Sequence, residues 1–212
     1  MRYAVKEIFY TLQGEGINAG RSAVFLRFSG CNLWSGRSEH RDSAIGSCSR
    51  WCDTDFLGMD GTNGGRYTLS ELTDAVDSCW PHADGKRFVV CTGGEPLLQV
   101  DEPLIEALHA RGFEIAVETN GTIQAPAGID WVCVSPKAGT KLVMNQGNEL
   151  KFVYPQVGLD PETLLSLDFQ HFILQPMDGP SREENSRKTL DYCLSHPSWR
   201  LGVQAHKVLG IR

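Results

Sequence analysis

The sequence predicts an α/β chain built as a partial, open barrel of the (β/α)6 type, with parallel strands and some helices cut short. Three observations carry that expectation. Apolar runs of strand length recur through the 212 residues, and several are followed by stretches with helical spacing, as expected of parallel strands joined by crossovers. The helical signals are uneven: residues 122–130 and 136–147 show no helical pattern, which argues against a full eight-fold barrel. Thr92, Glu118, Ser135, Gln175 and His206 each stand at the predicted end of a strand, and in such folds ligands bind where those ends and their loops converge.

In chain order, Val5, Ile8 and Phe9 flank Lys6 and Glu7 in a first short pattern, and residues 22–29 form a strand in which Ala23, Phe25 and Arg27 alternate with Val24, Leu26 and Phe28. Between them, Gln13-Gly14-Glu15-Gly16 is a glycine-punctuated turn. A cysteine-bearing loop over residues 30–55 and a glycine run over 58–65 follow. Thr68-Leu69-Ser70-Glu71 fits a capping box, so a helix should start there and run, through Leu72, Val76 and Cys79, to about residue 80. Phe88-Val89-Val90-Cys91 reads as a buried strand ending in Thr92-Gly93-Gly94, followed by a helix over 101–110. Further strands are expected at 114–118, 131–135, 150–154, 172–175 and 201–205. Pro161 after Asp160 opens a short helix, and 182–194 gives a longer one.

Bulk properties narrow the function. At 41% hydrophobic residues the chain, 1–212, is long enough for one domain with a sizeable core. A net charge of −6 gives no basic footprint for nucleic acid. Seven cysteines, an odd number scattered along the chain, argue against a disulfide framework and place it in a reducing compartment, the cytoplasm. No run approaches the ~20 apolar residues needed to span a bilayer, and the first residues do not read as a signal peptide.

Three of the cysteines, Cys31, Cys48 and Cys52, gather in the 30–55 loop beside Asp53, Thr54 and Asp55. By themselves they admit three readings: an iron-sulfur cube with one iron left open, a zinc site completed by a fourth ligand such as His40, or reduced buried thiols. Read together with Cys91-Thr92-Gly93-Gly94-Glu95-Pro96, the CNLW start and WCDT end of the loop resemble the radical S-adenosylmethionine (SAM) superfamily. Within it, FYTLQGEG, ETNGT, SPK, LQPMDG and QAHK, in this order along nearly the whole chain, are similar to the 7-carboxy-7-deazaguanine synthase family of queuosine biosynthesis. The superfamily spaces its cysteines C-x3-C-x2-C, whereas here sixteen residues separate Cys31 from Cys48 and three separate Cys48 from Cys52. Members with an enlarged first gap are known; the extra residue in the second gap makes Cys48 the least regular ligand. Cys79 and Cys91 fit less well, falling in a predicted helix and strand.

The resemblance implies a magnesium-dependent radical enzyme. It would contract the ring of 6-carboxy-5,6,7,8-tetrahydropterin to 7-carboxy-7-deazaguanine with loss of ammonia, starting from hydrogen abstraction at C6 by a 5′-deoxyadenosyl radical. It assigns Cys31, Cys48 and Cys52 to a [4Fe-4S] cluster and Thr54 to Mg²⁺, which favours hard oxygen ligands. Gly93, Gly94, Glu95, Glu118, Asn120, Ser135, Lys137 and Gln175 fall to SAM, with Glu95 and the strand-end carbonyls taking its amino group. Leu12, Gln13, Glu15, Arg27, Thr92, His206 and Arg212 fall to the pterin: Gln13 and Glu15 suit its amino edge, Arg27 its acid, and residues 207–212 would close the site. A homodimer and an electron donor such as flavodoxin are implied too. Without the family, the same residues have plainer readings: a turn fixed by Pro96, a buried ion pair at Arg27, a solvated Lys137. Two alternative functions are an activating enzyme acting on a partner protein and a zinc-binding module without catalysis.

Overall fold

The structure, a computed structural model, describes residues 2–82 and 85–211. The chain begins with an antiparallel pair, β1 (Tyr3–Leu12) and β2 (Ser22–Phe28), and β3 (Gly65–Tyr67) lies antiparallel on the outer side of β1. From β2 onward every pairing is parallel: β4 (Arg87–Gly93), β5 (Phe113–Thr119), β6 (Trp131–Val134), β7 (Gln146–Tyr154), β8 (Asp168–Pro176) and β9 (Arg200–Leu201) follow side by side. The sheet order is β3-β1-β2-β4-β5-β6-β7-β8-β9, and its two edges do not pair. The barrel is therefore open, as the sequence predicts.

Helices stand where the sequence signals them. Thr68 caps α1 (Leu69–Cys79): its hydroxyl accepts the Glu71 N–H at 3.4 Å and the Glu71 carboxylate accepts the Thr68 N–H at 2.8 Å. Asp101 caps α2 (Glu102–His109), Asp160 caps the single turn of α3 (Pro161–Leu164), and α4 spans Arg182–Ser195. The connections from β5 to β6 and from β6 to β7 carry no helix.

Alternation along each strand decides what lies inside the barrel. In β4, Val89 and Cys91 pack outward with Leu72, Val76, Leu104 and Leu108 of the helices, while Phe88 and Val90 turn inward to Ala23 and Ala116, with Phe25 and Trp131 beside them. Residues two positions further along the same inward faces, among them Arg27, Thr92, Glu118 and Cys133, line a cavity above this apolar floor.

Two expectations need correction. The strand over 201–205 is only two residues long, because Gly202 closes against β8: a Cβ there would lie 2.8 Å from Ile173 Cγ2, and the Gly202 N–H donates to the Leu174 carbonyl. The chain then leaves the sheet as a short helix, α5 (Ala205–Leu209), so His206 stands on a helix and not at a strand end. The glycine run over 58–65 also ends in β3, which no sequence signal indicates. No helix among the described residues is long and apolar enough to cross a membrane.

Candidate active site

A cavity of about 380 Å³ opens at the carboxyl ends of the parallel strands. Cys31, just past β2, lines it together with Cys48 and Cys52. Cys48 begins a one-turn 3-10 helix, Cys48–Arg50, and its carbonyl accepts the Cys52 N–H at 2.7 Å, so the two thiols belong to one tight turn. Burial pushes the Cys48 thiol up to about 11, although the Lys137 charge opposes it. Burial likewise raises Cys31. The other candidate ligands lie elsewhere: Cys91 is fully buried in the core, Cys79 rests on α1 beside the Asn63 amide, and His40 is exposed and bonded to Ser35. Among the described residues, no three His, Cys, Asp or Glu side chains converge on a single-ion site.

Asp53, Thr54 and Asp55 also face the cavity, but both carboxylates are taken by lysines. Lys207 of α5 pairs with Asp53, and the buried Lys6 of β1 holds Asp55 at 2.9 Å and Asp60 at 2.7 Å.

Gly93 and Gly94 of the GGEP turn line the cavity and pack closely on the end of β2. A Cβ on Gly93 would lie 2.3 Å from the Phe28 carbonyl oxygen, and one on Gly94 would lie 2.2 Å from the Gly30 oxygen and 2.7 Å from Cys31 Cβ. These glycines let the end of β4 press against the backbone that carries the first cysteine. Glu95 does not line the cavity: it is fully buried and accepts from the Leu97 N–H, the Thr119 hydroxyl and the Asn120 N–H at 2.7–3.0 Å. It brackets β4 to β5. Burial raises its pKa, against those three donors.

Asn120 lines the cavity and ties the ETNGT and CNLW motifs together. Its amide donates to Asn32 at 3.0 Å and its oxygen accepts from both the N–H and the hydroxyl of Thr122, while Asn32 in turn donates to Thr122. Ser135 and Lys137 share the opposite wall: the ammonium donates to Ser135 Oγ at 2.6 Å and lies 5.1 Å from the Trp51 ring centre. Burial lowers the Lys137 pKa, which the neighbouring cysteines oppose. Gln175, at the end of β8, is 4% exposed, and its Oε1 has no hydrogen-bond partner.

Leu12, Gln13, Glu15, Arg27, Thr92 and His206 line the same cavity. Arg27 also realises its plainer reading, with Nε donating to Glu7 at 2.9 Å. Gln13 donates to Glu118 at 2.9 Å and accepts the Glu15 N–H. Glu15 meets Lys151 Nζ at 2.5 Å and Gln204 at 2.8 Å, and Lys151 lies 3.4 Å from Glu118. Arg212 lies outside the described residues.

The sequence reading missed Lys151, the cation at the centre of this network, as well as Gln204 and Thr119. Lys151 carries a usable signal, a lone lysine within the apolar run Leu150-Lys151-Phe152-Val153. Gln204 reaches the cavity only because α5 turns back over it, which no local pattern announces.

No family model matches the chain. Whole-length relatives do. The chain is 62% identical to the 7-carboxy-7-deazaguanine synthase of Bradyrhizobium diazoefficiens, 60% identical to that of Caulobacter vibrioides and 40% identical to that of Bacteroides thetaiotaomicron, each comparison covering 100% of both chains. Among solved structures, the crystal structure of QueE from Escherichia coli matches with a TM-score of 0.70 at 28% identity, covering 97% of this chain and 95% of that one.

Proposed function

The chain belongs to the 7-carboxy-7-deazaguanine synthase family, and from that premise we propose that the strand-end cavity is the site where cluster, SAM and pterin meet. It is a radical SAM lyase of queuosine biosynthesis that contracts the ring of 6-carboxy-5,6,7,8-tetrahydropterin, giving 7-carboxy-7-deazaguanine and ammonia. The observation that carries the assignment of the site is the convergence of Cys31, Cys48 and Cys52 with the polar strand ends on one cavity.

The residues present fit the implied groups. Three thiols suit a cube that keeps one iron for an outside ligand. The orphaned Oε1 of Gln175 calls for a donor from a ligand such as a nucleoside, since a buried unpaired acceptor costs about 1–3 kcal/mol. With its two neighbouring carboxylates tied to lysines, Thr54 offers a single hydroxyl, which suits Mg²⁺ because that ion keeps most of its waters.

When bound, the [4Fe-4S] cluster and SAM supply the radical chemistry; the side chains bind and orient. Backbone carbonyls at Gly93 and Gly94 would receive the amino group of SAM, with Glu95 holding that turn from behind. Glu118 and Asn120 would take its ribose hydroxyls, and Ser135 and Lys137 its carboxylate. On the pterin side, Arg27 would pair with the acid. Gln13 and Glu15 would accept from the amino edge, and Leu12, Thr92 and His206 would complete the walls. Such fixed contacts position the reacting carbon and exclude water. The polar set Gln13, Glu15, Arg27 and His206 on one cavity suits the donors and acceptors of a small heterocycle better than the backbone of a partner protein. The reading extends to a homodimer, a flavodoxin-type electron donor and a single domain over 1–212 whose tail, 207–212, closes the pterin side.

The test is an anaerobic assay of the reconstituted protein with 6-carboxytetrahydropterin, dithionite and SAM. Formation of the deazaguanine is expected, with about four iron and four sulfide per chain. Cys31→Ala, Cys48→Ala and Cys52→Ala should each lose the cluster, and Cys79→Ala should keep it. A chain isolated with stoichiometric zinc and no product would overturn the reading.

A further inference from the structure

The gap between Cys48 and Cys52 holds one residue more than the superfamily's usual two. An added residue in so short a turn rotates whatever follows it, so both thiols can face one cavity only if the surplus residue is disposed of elsewhere. Ser49 is that residue. It is fully buried, does not line the cavity, and points into the insertion that separates the first two cysteines.

The insertion, residues 35–47, has no buried residue of its own and includes one 3-10 segment, Ser38–Ser43. It meets the cysteine loop through backbone bonds, from the Ile45 N–H to the Leu33 carbonyl at 3.0 Å and from the Arg50 N–H to the Ser47 carbonyl at 3.2 Å, and through the side chain of Arg41. Ser49 Oγ donates to the Arg41 carbonyl at 2.6 Å, and the Arg41 guanidinium donates back to the Ser49 carbonyl, a reciprocal pair across eight residues of chain. The same guanidinium reaches the Cys52 carbonyl at 3.5 Å and lies 4.7 Å from the ring centre of Trp34, which is buried edge-on against Phe56. Trp34 stands three residues after Cys31. One side chain therefore joins the segment behind the first cysteine to the backbone between the second and third.

We propose that Arg41 and Ser49 are positioning residues of the cluster site: Ser49 absorbs the surplus residue, and Arg41 splints the three cysteine segments so that Cys48 and Cys52 both present their sulfurs to the cavity. The proposal rests on the reading of the cavity as a [4Fe-4S] site. It has an electrostatic consequence as well, because a guanidinium held against this backbone places positive charge beside the cluster, and cluster potentials respond to nearby charge and hydrogen bonds.

The test compares reconstituted wild type, Arg41→Ala, Arg41→Lys and Ser49→Ala, each checked for folding by circular dichroism. Iron loss to a chelator, the paramagnetic resonance spectrum of the dithionite-reduced protein and the midpoint potential are read. Arg41→Ala should surrender iron about tenfold faster than wild type, the scale of losing an outer partner of a metal ligand. It should also show an altered spectrum and a lower midpoint potential. Arg41→Lys should restore the potential in part but not the iron retention, since an ammonium cannot hold two carbonyls in the guanidinium's planar fork. Ser49→Ala should lose iron at an intermediate rate at nearly unchanged potential. Should Arg41→Ala not fold, the lysine and Ser49 variants carry the same test. Wild-type spectrum, potential and iron retention in the folded variants would overturn the proposal alone, whereas a wild type that takes up no cluster would overturn the reading of the site beneath it.

Discussion

Lys151 shows how far one side chain governs the cavity. Burial alone would raise the Glu15 carboxyl, but the charge and hydrogen bond of Lys151, with help from Gln204 and His206, outweigh it and hold Glu15 well below the usual carboxylate range. Burial lowers Lys151 in turn, and the Glu118 and Glu15 charges more than reverse that. Lys151→Met leaves two carboxylates facing each other, a loss of about 3–5 kcal/mol at neutral pH by the usual cost of breaking a buried pair. The pH dependence follows from linkage. A carboxyl held low in the folded state contributes stability that is fully present above its ordinary value of 4.5 and lost as pH falls through the folded value. Without Lys151, burial takes over and raises Glu15, so the variant binds a proton more readily when folded and gains relative stability as pH drops. Urea denaturation at pH 7, 5 and 4 should therefore show the gap between wild type and variant narrowing with acid. A gap independent of pH would mean that Glu15 and Lys151 do not share charge as described.

At the level of elements, α5 has no means of holding itself. Five residues are too few for a helix to persist alone, and its apolar Val208 and Leu209 are 66% and 63% exposed, not anchored against the barrel mouth. What fixes it is polar. The Ala205 N–H donates to the Gly14 carbonyl at 2.8 Å, Gln204 donates to Glu15, and Lys207 joins Asp53 of the cysteine loop to Asp178 after β8. Gly14 is required in the same place, because a Cβ there would lie 2.3 Å from His206 Nδ1. Lys207→Met should loosen the helix and raise KM for the pterin about fivefold, given that partly exposed ion pairs contribute at most about 1 kcal/mol each. Iron content should stay at the wild-type level, and amide exchange over 204–209 should quicken. Unchanged exchange there would show that the two ion pairs do not hold α5.

Across the whole molecule, the open sheet leaves its closure to loops. Edges β3 and β9 do not pair, and the link between the start and the end of the chain is made over the cavity, where the β1–β2 loop meets both β7, through Lys151, and α5. Both ends are thus coupled to the site unequally: β1 is tied into the sheet, whereas α5 is held by the polar contacts just named. A C-terminal tag should raise KM for the pterin by about tenfold relative to an N-terminal one, the worth of one or two hydrogen bonds. Cluster content should be equal in the two forms. Identical kinetics would place the chain end away from the substrate.

The sequence by itself determined what depends on near neighbours along the chain. The alternation in SAVFLRF and FVVC set which faces turn inward, and Thr68 with Glu71 set where α1 begins. The silence of 122–130 and 136–147 left the barrel short of helices, and motif order brought Thr92, Glu118, Ser135 and Gln175 to one end of the sheet. Tertiary structure decided what depends on atoms distant in sequence. Glu95 became a buried bracket because Thr119 and Asn120 arrive beside it, and Gly93 and Gly94 serve the approach of Phe28 and Gly30 before any ligand. Asp53 and Asp55 are spoken for by lysines from the two ends of the chain, and Lys151 acquires its meaning only opposite Glu15, 136 residues away. Local pattern fixes where a side chain points relative to its own backbone, since sterics and hydrogen bonding act between near neighbours. Which charge or carbonyl it meets there is set by how separate segments pack, and packing is a property of the folded chain alone.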